Sequence, residues 1–275
     1  MRQPDTYIIC TSPRSGSTLL CSILRATGRA GYPASWFHEP SLEHWAAELD
    51  VPPVEGRCTD QIATLIEAAR HKGRAGGALF ALRLQRQSAG FFLNTLAHLH
   101  PDTRNDLSRI KASFGETCFL FLRRRNKVAQ AISYMRAQQS GLWHRAADGS
   151  ELERLARHCE PTYDAAFISQ WVEIFSRYDT EWQTWFDHEK IDAREVIYED
   201  LASEPVRILR TVLAALSIDP QLADGIEPGV QRLSDATSAE LIARFERDTL
   251  KQKRDKRPHY SGAISGPNQA TKTNL

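Results

Sequence analysis

Tyr7–Thr27 reads YIICTSPRSGSTLLCSILRAT, an apolar run broken by a small polar loop that carries one arginine and then resumes at a different period. Tyr7 to Cys10 is β-prone and predicts a short buried strand. Leu20, Ile23, Leu24 and Thr27 recur at helical spacing until Gly28 ends the pattern. A helix starting near Ser17 points its unpaired N–H groups and the positive end of its dipole into the loop Ser12–Ser17. An anion fits there. Gly16 permits close backbone approach, the hydroxyls of Ser15, Ser17 and Thr18 add donors, and Arg14 adds a permanent forked cation, while Ser12 and Pro13 shape the turn.

The residue types restrict the anion. A nucleotide-triphosphate loop, GxxxxGK[ST], needs a lysine before the helical hydroxyl, and this loop has one glycine and no lysine. Cys10 falls in the apolar strand rather than in the loop, which argues against a thiolate phosphatase and for a buried thiol. On this segment alone, a strand–turn–helix that binds nothing stays open.

Composition sets the frame. With 275 residues the chain can bury one large core, and Lys+Arg 35 against Asp+Glu 34 leaves a formal net charge of +1. No global field draws it to nucleic acid or an anionic membrane, so an anion site has to be local. Cys10, Cys21, Cys58, Cys118 and Cys159 are dispersed, without a CxxC pair or a metal-ligand cluster, as expected for reduced cytosolic thiols. The amino terminus lacks a signal-like apolar stretch, and no window approaches the roughly 18 apolar residues of a membrane span. The expectation is a soluble cytoplasmic protein with one domain over residues 1–250 and a basic, polar, flexible tail over 251–275.

The strand-then-helix pattern repeats. GYPASWFHEP, residues 31–40, is too aromatic for a spacer and suits a pocket wall. Thr59 can cap a helix containing Ile62, Leu65 and Ile66. Ala78–Leu84 reads as a second strand ending near Arg83, and Thr117–Leu122 as a third running into Arg123, Arg124 and Arg125. Asn126 then caps a helix that Gly141 stops. From Thr162 to Glu189, the residues Phe167, Trp171, Ile174, Phe175, Tyr178, Trp182, Trp185 and Phe186 form a core stripe on one long helix. Glu195–Tyr198 is a further short strand. Pro205 suits the first turn of the next helix, Glu199 and Asp200 read as its caps, and Thr237 with Glu240 forms a capping box. The alternation predicts an α/β fold with a parallel sheet flanked by helices and ligands at the strands' carboxyl ends, where both arginine-bearing loops lie.

Two such basic junctions suit a ligand with two separated phosphates. TSPRSGSTLL, residues 11–20, resembles the 5′-phosphosulfate loop of sulfotransferases. RRNKVAQAIS, residues 124–133, resembles their 3′-phosphate motif, an arginine followed two helical turns later by Ser133. VIYEDLASEP, residues 196–205, is similar to a third shared stretch. RATGRAGYP, WQTWF and QRLSDATSAELIARFERD further resemble the bacterial trehalose 2-sulfotransferase family.

The resemblance implies a P-loop-like α/β sulfotransferase fold, the donor 3′-phosphoadenylyl sulfate (PAPS), a carbohydrate or glycolipid hydroxyl as acceptor, no metal, and a homodimer. It places the 5′-phosphosulfate on Arg14, Ser15, Gly16, Ser17 and Thr18, with Arg14 also steadying the leaving phosphate. The 3′-phosphate falls to Arg124 or Arg125 with Ser133; adjacent positions on an extended segment face opposite ways, so one arginine points inward. The family's base, a glutamate after GxP, is replaced here by Ser35, which moves the expectation to Glu39, with His38 as the alternative. Arg83 stands nearest the family's lysine after the second strand, and Trp36 joins it as an acceptor-side residue. Two competing functions are a nucleotide or sugar kinase with a degenerate loop, and a non-catalytic protein that senses a 3′,5′-bisphosphorylated adenine nucleotide.

Overall fold

A computed structural model describes residues 3–53, 56–145, 148–157, 159–229 and 236–255, the side chains of Arg145 and of 252–255 excepted. Four parallel strands form the central sheet: β1 (Thr6–Thr11), β2 (Phe80–Gln85), β3 (Thr117–Arg123) and, after the hairpin strands described below, β6 (Arg194–Ile197). Their order is β2-β1-β3-β6. Chain order reverses at β1, whose two neighbours leave in opposite directions, and such a switch point opens a crevice at the carboxyl ends.

The apolar run of β1 is buried on both sides because helices cover both faces. Ile8 and Cys10 pack into a cluster with Phe80, Phe92, Phe114 and Trp182, whereas Tyr7 and Ile9 point to the opposite cluster with Leu20, Ile23, Leu24, Leu209 and Leu213. Burying each large side chain contributes ~1.5–3 kcal/mol before entropy is counted. Helix α1 (Ser17–Ala26) therefore presents the predicted Leu20, Ile23 and Leu24 to the sheet.

On the first face lie α2 (Leu42–Leu49), α3 (Cys58–Arg74), α4 (Arg86–Leu99) and α5 (Asp106–Phe114). Helix α6 (Lys127–Ser140) starts on the Asn126 cap, whose side chain accepts from Ala129 N, and ends at Gly141, both as predicted. The hairpin β4 (Leu142–Arg145) and β5 (Glu151–Arg154) follows. Helix α7 (Ala165–Glu189) carries the aromatic stripe. Phe175 and Ile168 pack against Ile132 and Met135 of α6, Trp182 and Phe186 reach the sheet, and Trp182 Nε1 donates to Thr11 O at 3.0 Å. Helices α8 (Tyr198–Ser203), α9 (Pro205–Ala215) and α10 (Ala236–Asp255) complete the described residues with a 3-10 turn at Pro220–Ala223. No helix among the described residues is long and apolar enough to cross a membrane.

Pro205 opens α9 as predicted, but three capping expectations change. Thr59 is the second residue of α3, where Asp60 accepts from Arg57 N instead. Glu199 and Asp200 lie inside α8 and serve a different junction, described below. Thr237 lies inside α10, which already includes Ala236; the first residues of its motif, 231–235, lie outside the described residues. The expected tail boundary moves too, since α10 runs to Asp255, and 256–275 lie outside the described residues.

Candidate active site

A cleft of about 820 Å³ opens at the carboxyl ends of the strands. Its floor is the loop after β1. Gly16 takes a left-handed conformation, φ 88°, and a Cβ there would overlap the Tyr198 ring. Helix α1 begins on Gly16 with no side-chain cap and no acidic residue in its first turn, unlike α2, α5, α6 and α7, which Ser41, Asn105, Asn126 and Asp164 cap. Its positive end is left for a ligand.

Arg14, itself at φ 62°, runs along the cleft wall. Its Nε donates to Ser133 Oγ at 3.0 Å and its Nη1 to Trp143 O at 2.6 Å. Burial, and next the neighbouring Arg124, lower its pKa to about 10. Both causes penalise the cation, and the attraction of a bound anion would offset them. Arg124 leaves the end of β3, lies 4.6 Å over the Tyr198 ring and lines the same cleft. Arg125 turns the other way onto Asp200, at 3.1 Å, and is absent from the lining. Glu199 accepts from Arg125 N and Asn126 N, both at 3.0 Å. Burial alone would raise its pKa, yet these N–H groups hold it below the ordinary value.

The loop is braced from behind. Gln130, fully buried on α6, donates through Nε2 to Ser12 Oγ at 3.0 Å and Pro13 O at 2.7 Å. Lys127 reaches Gln130 Oε1 at 3.3 Å and Asp179 of α7 at 2.6 Å. Ser15, expected to offer its hydroxyl to the anion, instead turns inward: Oγ donates to Ser12 O at 2.7 Å and meets Thr11 Oγ1. Ser17 and Thr18 do line the cleft.

The profile of the Stf0 sulphotransferase family matches residues 6–248. The chain belongs to the Stf0 sulfotransferase family. Two relatives bear the name trehalose 2-sulfotransferase. That of Mycolicibacterium smegmatis is 28% identical over 264 residues, covering 89% of this chain and 96% of its own. That of Mycobacterium tuberculosis is 28% identical over 258 residues, covering 87% and 93%. A sulfotransferase of known structure from Alicyclobacillus acidocaldarius aligns over 92% of this chain and 96% of its own, at 16% identity and TM-score 0.40.

In this Stf0 sulfotransferase the acceptor-side residues separate. Arg83 lines the cleft, donating through Nε to Ser35 Oγ at 2.8 Å and through Nη1 to Thr18 Oγ1 at 3.4 Å. Trp36 instead belongs to the core, with Nε1 donating to Ala81 O. The loop from Gly31 to Pro40 is pinned by Ser88, which donates to His38 O, and by Trp45 Nε1, which donates to Glu39 O at 2.5 Å. His38 and Glu39 are both exposed, and of the two His38 lines the cleft. Burial lowers the His38 pKa, and Glu39 beside it opposes the shift.

Cleft residues that were not anticipated include Gln85 at the end of β2, Tyr198, and His144 with Glu153 on the hairpin. Gln85 ends a strand and Tyr198 follows one, so the carboxyl-end rule could have found both. The hairpin carries no such signal. His144 Nε2 lies 3.1 Å from Thr18 Oγ1 and 3.4 Å from Glu153 Oε2. Burial, then Arg14 and Arg83, lower its pKa to about 3.

Proposed function

We propose that this protein is a carbohydrate sulfotransferase that takes a sulfuryl group from PAPS and passes it to a sugar hydroxyl. The observation carrying this reading is the placement of Arg14 and Arg124 together beside the uncapped start of α1, in one cleft at the ends of β1 and β3. Two mutually repelling, desolvated cations are stabilised by a polyanion.

On this reading, Arg14 and the loop amides take the 5′-phosphosulfate. Arg124, with Ser133 held by Arg14, takes the 3′-phosphate, while Arg125 stays on Asp200. The acceptor oxygen attacks sulfur, the bond from sulfur to the phosphate oxygen breaks, and adenosine 3′,5′-bisphosphate departs with the electron pair. Arg14 and the amides stabilise the charge that grows on the leaving phosphate. The arginines supply the cationic charge, so no step is assigned to a metal.

Support for a sugar acceptor comes from the names of the relatives and from Gln85. Its Oε1 is buried without a hydrogen-bond partner among the described residues, on the cleft side of β2. Such an acceptor atom costs ~1–3 kcal/mol, and a sugar hydroxyl would satisfy it. The same reading carries a cytoplasmic homodimer acting on trehalose, another glycan or a glycolipid. A sulfate-transfer assay with PAPS over a panel of these acceptors tests it: transfer to at least one is expected. Tight binding of adenosine 3′,5′-bisphosphate with transfer to none would replace it with the nucleotide-sensing function.

A further inference from the structure

The sulfuryl-transfer reading still needs a group to take the proton from the acceptor hydroxyl. Ser35 is committed to Arg83, and a serine hydroxyl is too weak a base at neutral pH to do this. Glu39 is not in the cleft lining. Carboxylates that do line it, among the described residues, are Glu153 and Glu160. Of these, Glu153 is tied by geometry to the loop: His144 Nε2 lies 3.4 Å from its Oε2 and 3.1 Å from Thr18 Oγ1, in the first turn of α1. Arg14 and His38, which also line the cleft, both feel its charge.

The hairpin is built to hold that position. Arg14 Nη1 donates to Trp143 O at 2.6 Å, Leu155 N to Gly141 O at 2.8 Å, and Arg154 Nη1 to Ser140 O at 2.7 Å. The loop arginine that faces the donor is therefore the same residue that anchors β4, so donor site and hairpin share one side chain.

We infer that Glu153, carried by the hairpin β4–β5, is the general base of the transfer, with His144 as its positioning residue. The partners of His144 divide the two roles. A carboxylate only accepts, so the approach of Nε2 to Glu153 at 3.4 Å is favourable with the hydrogen on Nε2; in that tautomer His144 is a donor toward the cleft and Glu153 is the group that can receive a proton. The proton passes from the acceptor hydroxyl to the Glu153 carboxylate as the new sulfur–oxygen bond forms. The electron pair of the breaking bond leaves on the 5′-phosphate. His38 lines the same cleft, but its ring makes no hydrogen bond to the donor loop among the described residues.

This inference rests on the proposed sulfotransferase activity, and the experiment separates the two. Steady-state transfer from PAPS to the best acceptor is compared for the wild type, Glu153→Gln, Glu153→Asp and His38→Asn, with binding of adenosine 3′,5′-bisphosphate measured by calorimetry on each. Loss of a general base should lower kcat about 100- to 10,000-fold in Glu153→Gln. Nucleotide affinity should stay within about threefold, Glu153→Asp should recover part of kcat, and His38→Asn should lose far less. His144→Leu should lower kcat with the KM for PAPS unchanged, and His144→Gln, which keeps an N–H donor, should restore most of it. Glu153→Gln turning over within about threefold of wild type, or losing nucleotide binding along with turnover, overturns the assignment. So does a His38→Asn loss that exceeds it. A wild type that binds the nucleotide and sulfates nothing overturns the activity itself.

Discussion

The Arg14 guanidinium donates through Nε to Ser133 Oγ at 3.0 Å, joining the loop after β1 to the middle of α6 across 119 positions of sequence. Ser133, read from sequence as a ligand of the far phosphate, is thus also a partner of Arg14, the arginine read as the ligand of the near one. The two grips are one hydrogen-bonded unit, and mutations in them should not add. Arg14→Ala should cost about 100- to 1,000-fold in kcat/KM, the usual effect of removing a donor to developing charge. Ser133→Ala should cost about three- to tenfold in donor affinity. The double variant should be little worse than Arg14→Ala; strict additivity in a kinetic double-mutant cycle would break the unit apart.

Gly16 makes a second test because two independent restraints meet there, a left-handed φ of 88° and the Tyr198 ring. Gly16→Ala should destabilise the fold by about 1–3 kcal/mol in urea unfolding and abolish the thermal shift that adenosine 3′,5′-bisphosphate gives the wild type. Adding Tyr198→Ala removes the overlap but not the backbone cost, so it should restore part of the stability. Full restoration would show that φ is immaterial.

What was legible in the sequence were features that depend on near neighbours. The burial of β1 on both faces, the helical spacing of α1, the Asn126 cap and the Gly141 stop need only local pattern and turn chemistry. Features set by distant partners were not legible. Ser15 turns inward because Ser12 O and Thr11 Oγ1 are nearer than the cleft. Arg124 and Arg125 could not be told apart until Asp200, 75 positions away, claimed Arg125. The hairpin strands, LWHR and ELER, are short and polar without clean alternation, and their pairing contains register shifts. Nothing local announces them, so the carboxylate they bring to the cleft was missed.

The Lys127–Asp179 pair predicts a stability effect that reaches the donor site. Burial lowers the Lys127 pKa and raises that of Asp179, in each case against the pull of the partner. Each charge depends on the other to stay buried. Asp179→Asn should cost about 3–5 kcal/mol in chemical denaturation, whereas Lys127→Met with Asp179→Leu should recover most of it. Because Lys127 also holds Gln130, and Gln130 holds Ser12 and Pro13, the single variant should weaken nucleotide binding as well. Unchanged binding in a destabilised Asp179→Asn protein would cut that chain.

Gln85 predicts the opposite combination, a gain in stability with a loss of function. Replacing it by leucine removes a buried acceptor that has no partner among the described residues, so the unfolding free energy should hold or rise by about 1 kcal/mol. The KM for the sugar should rise about tenfold with the KM for PAPS unchanged. An unchanged sugar KM would remove Gln85 from the acceptor site.

His144 should make the protein sensitive to acid. Its pKa falls from 6.5 in the unfolded chain to about 3 in the fold, through burial first and then Arg14 and Arg83. Between those values the unfolded state binds more protons, so stability rises with pH there. The contribution is complete above about pH 6.5 and is lost as pH falls toward about 3. Arg14 faces the ring from the loop, Arg83 from β2 and Glu153 from β5; protonated His144 would be drawn to Glu153 and repelled by both arginines. Between pH 7 and 5 the wild type should lose about 1–2 kcal/mol more than His144→Gln, read from urea midpoints at fixed ionic strength. His38, whose pKa is lowered in the same sense, contributes equally to both proteins and cancels in the difference. Equal slopes for the two would mean that His144 is protonated in the fold at the same pH as in the unfolded chain.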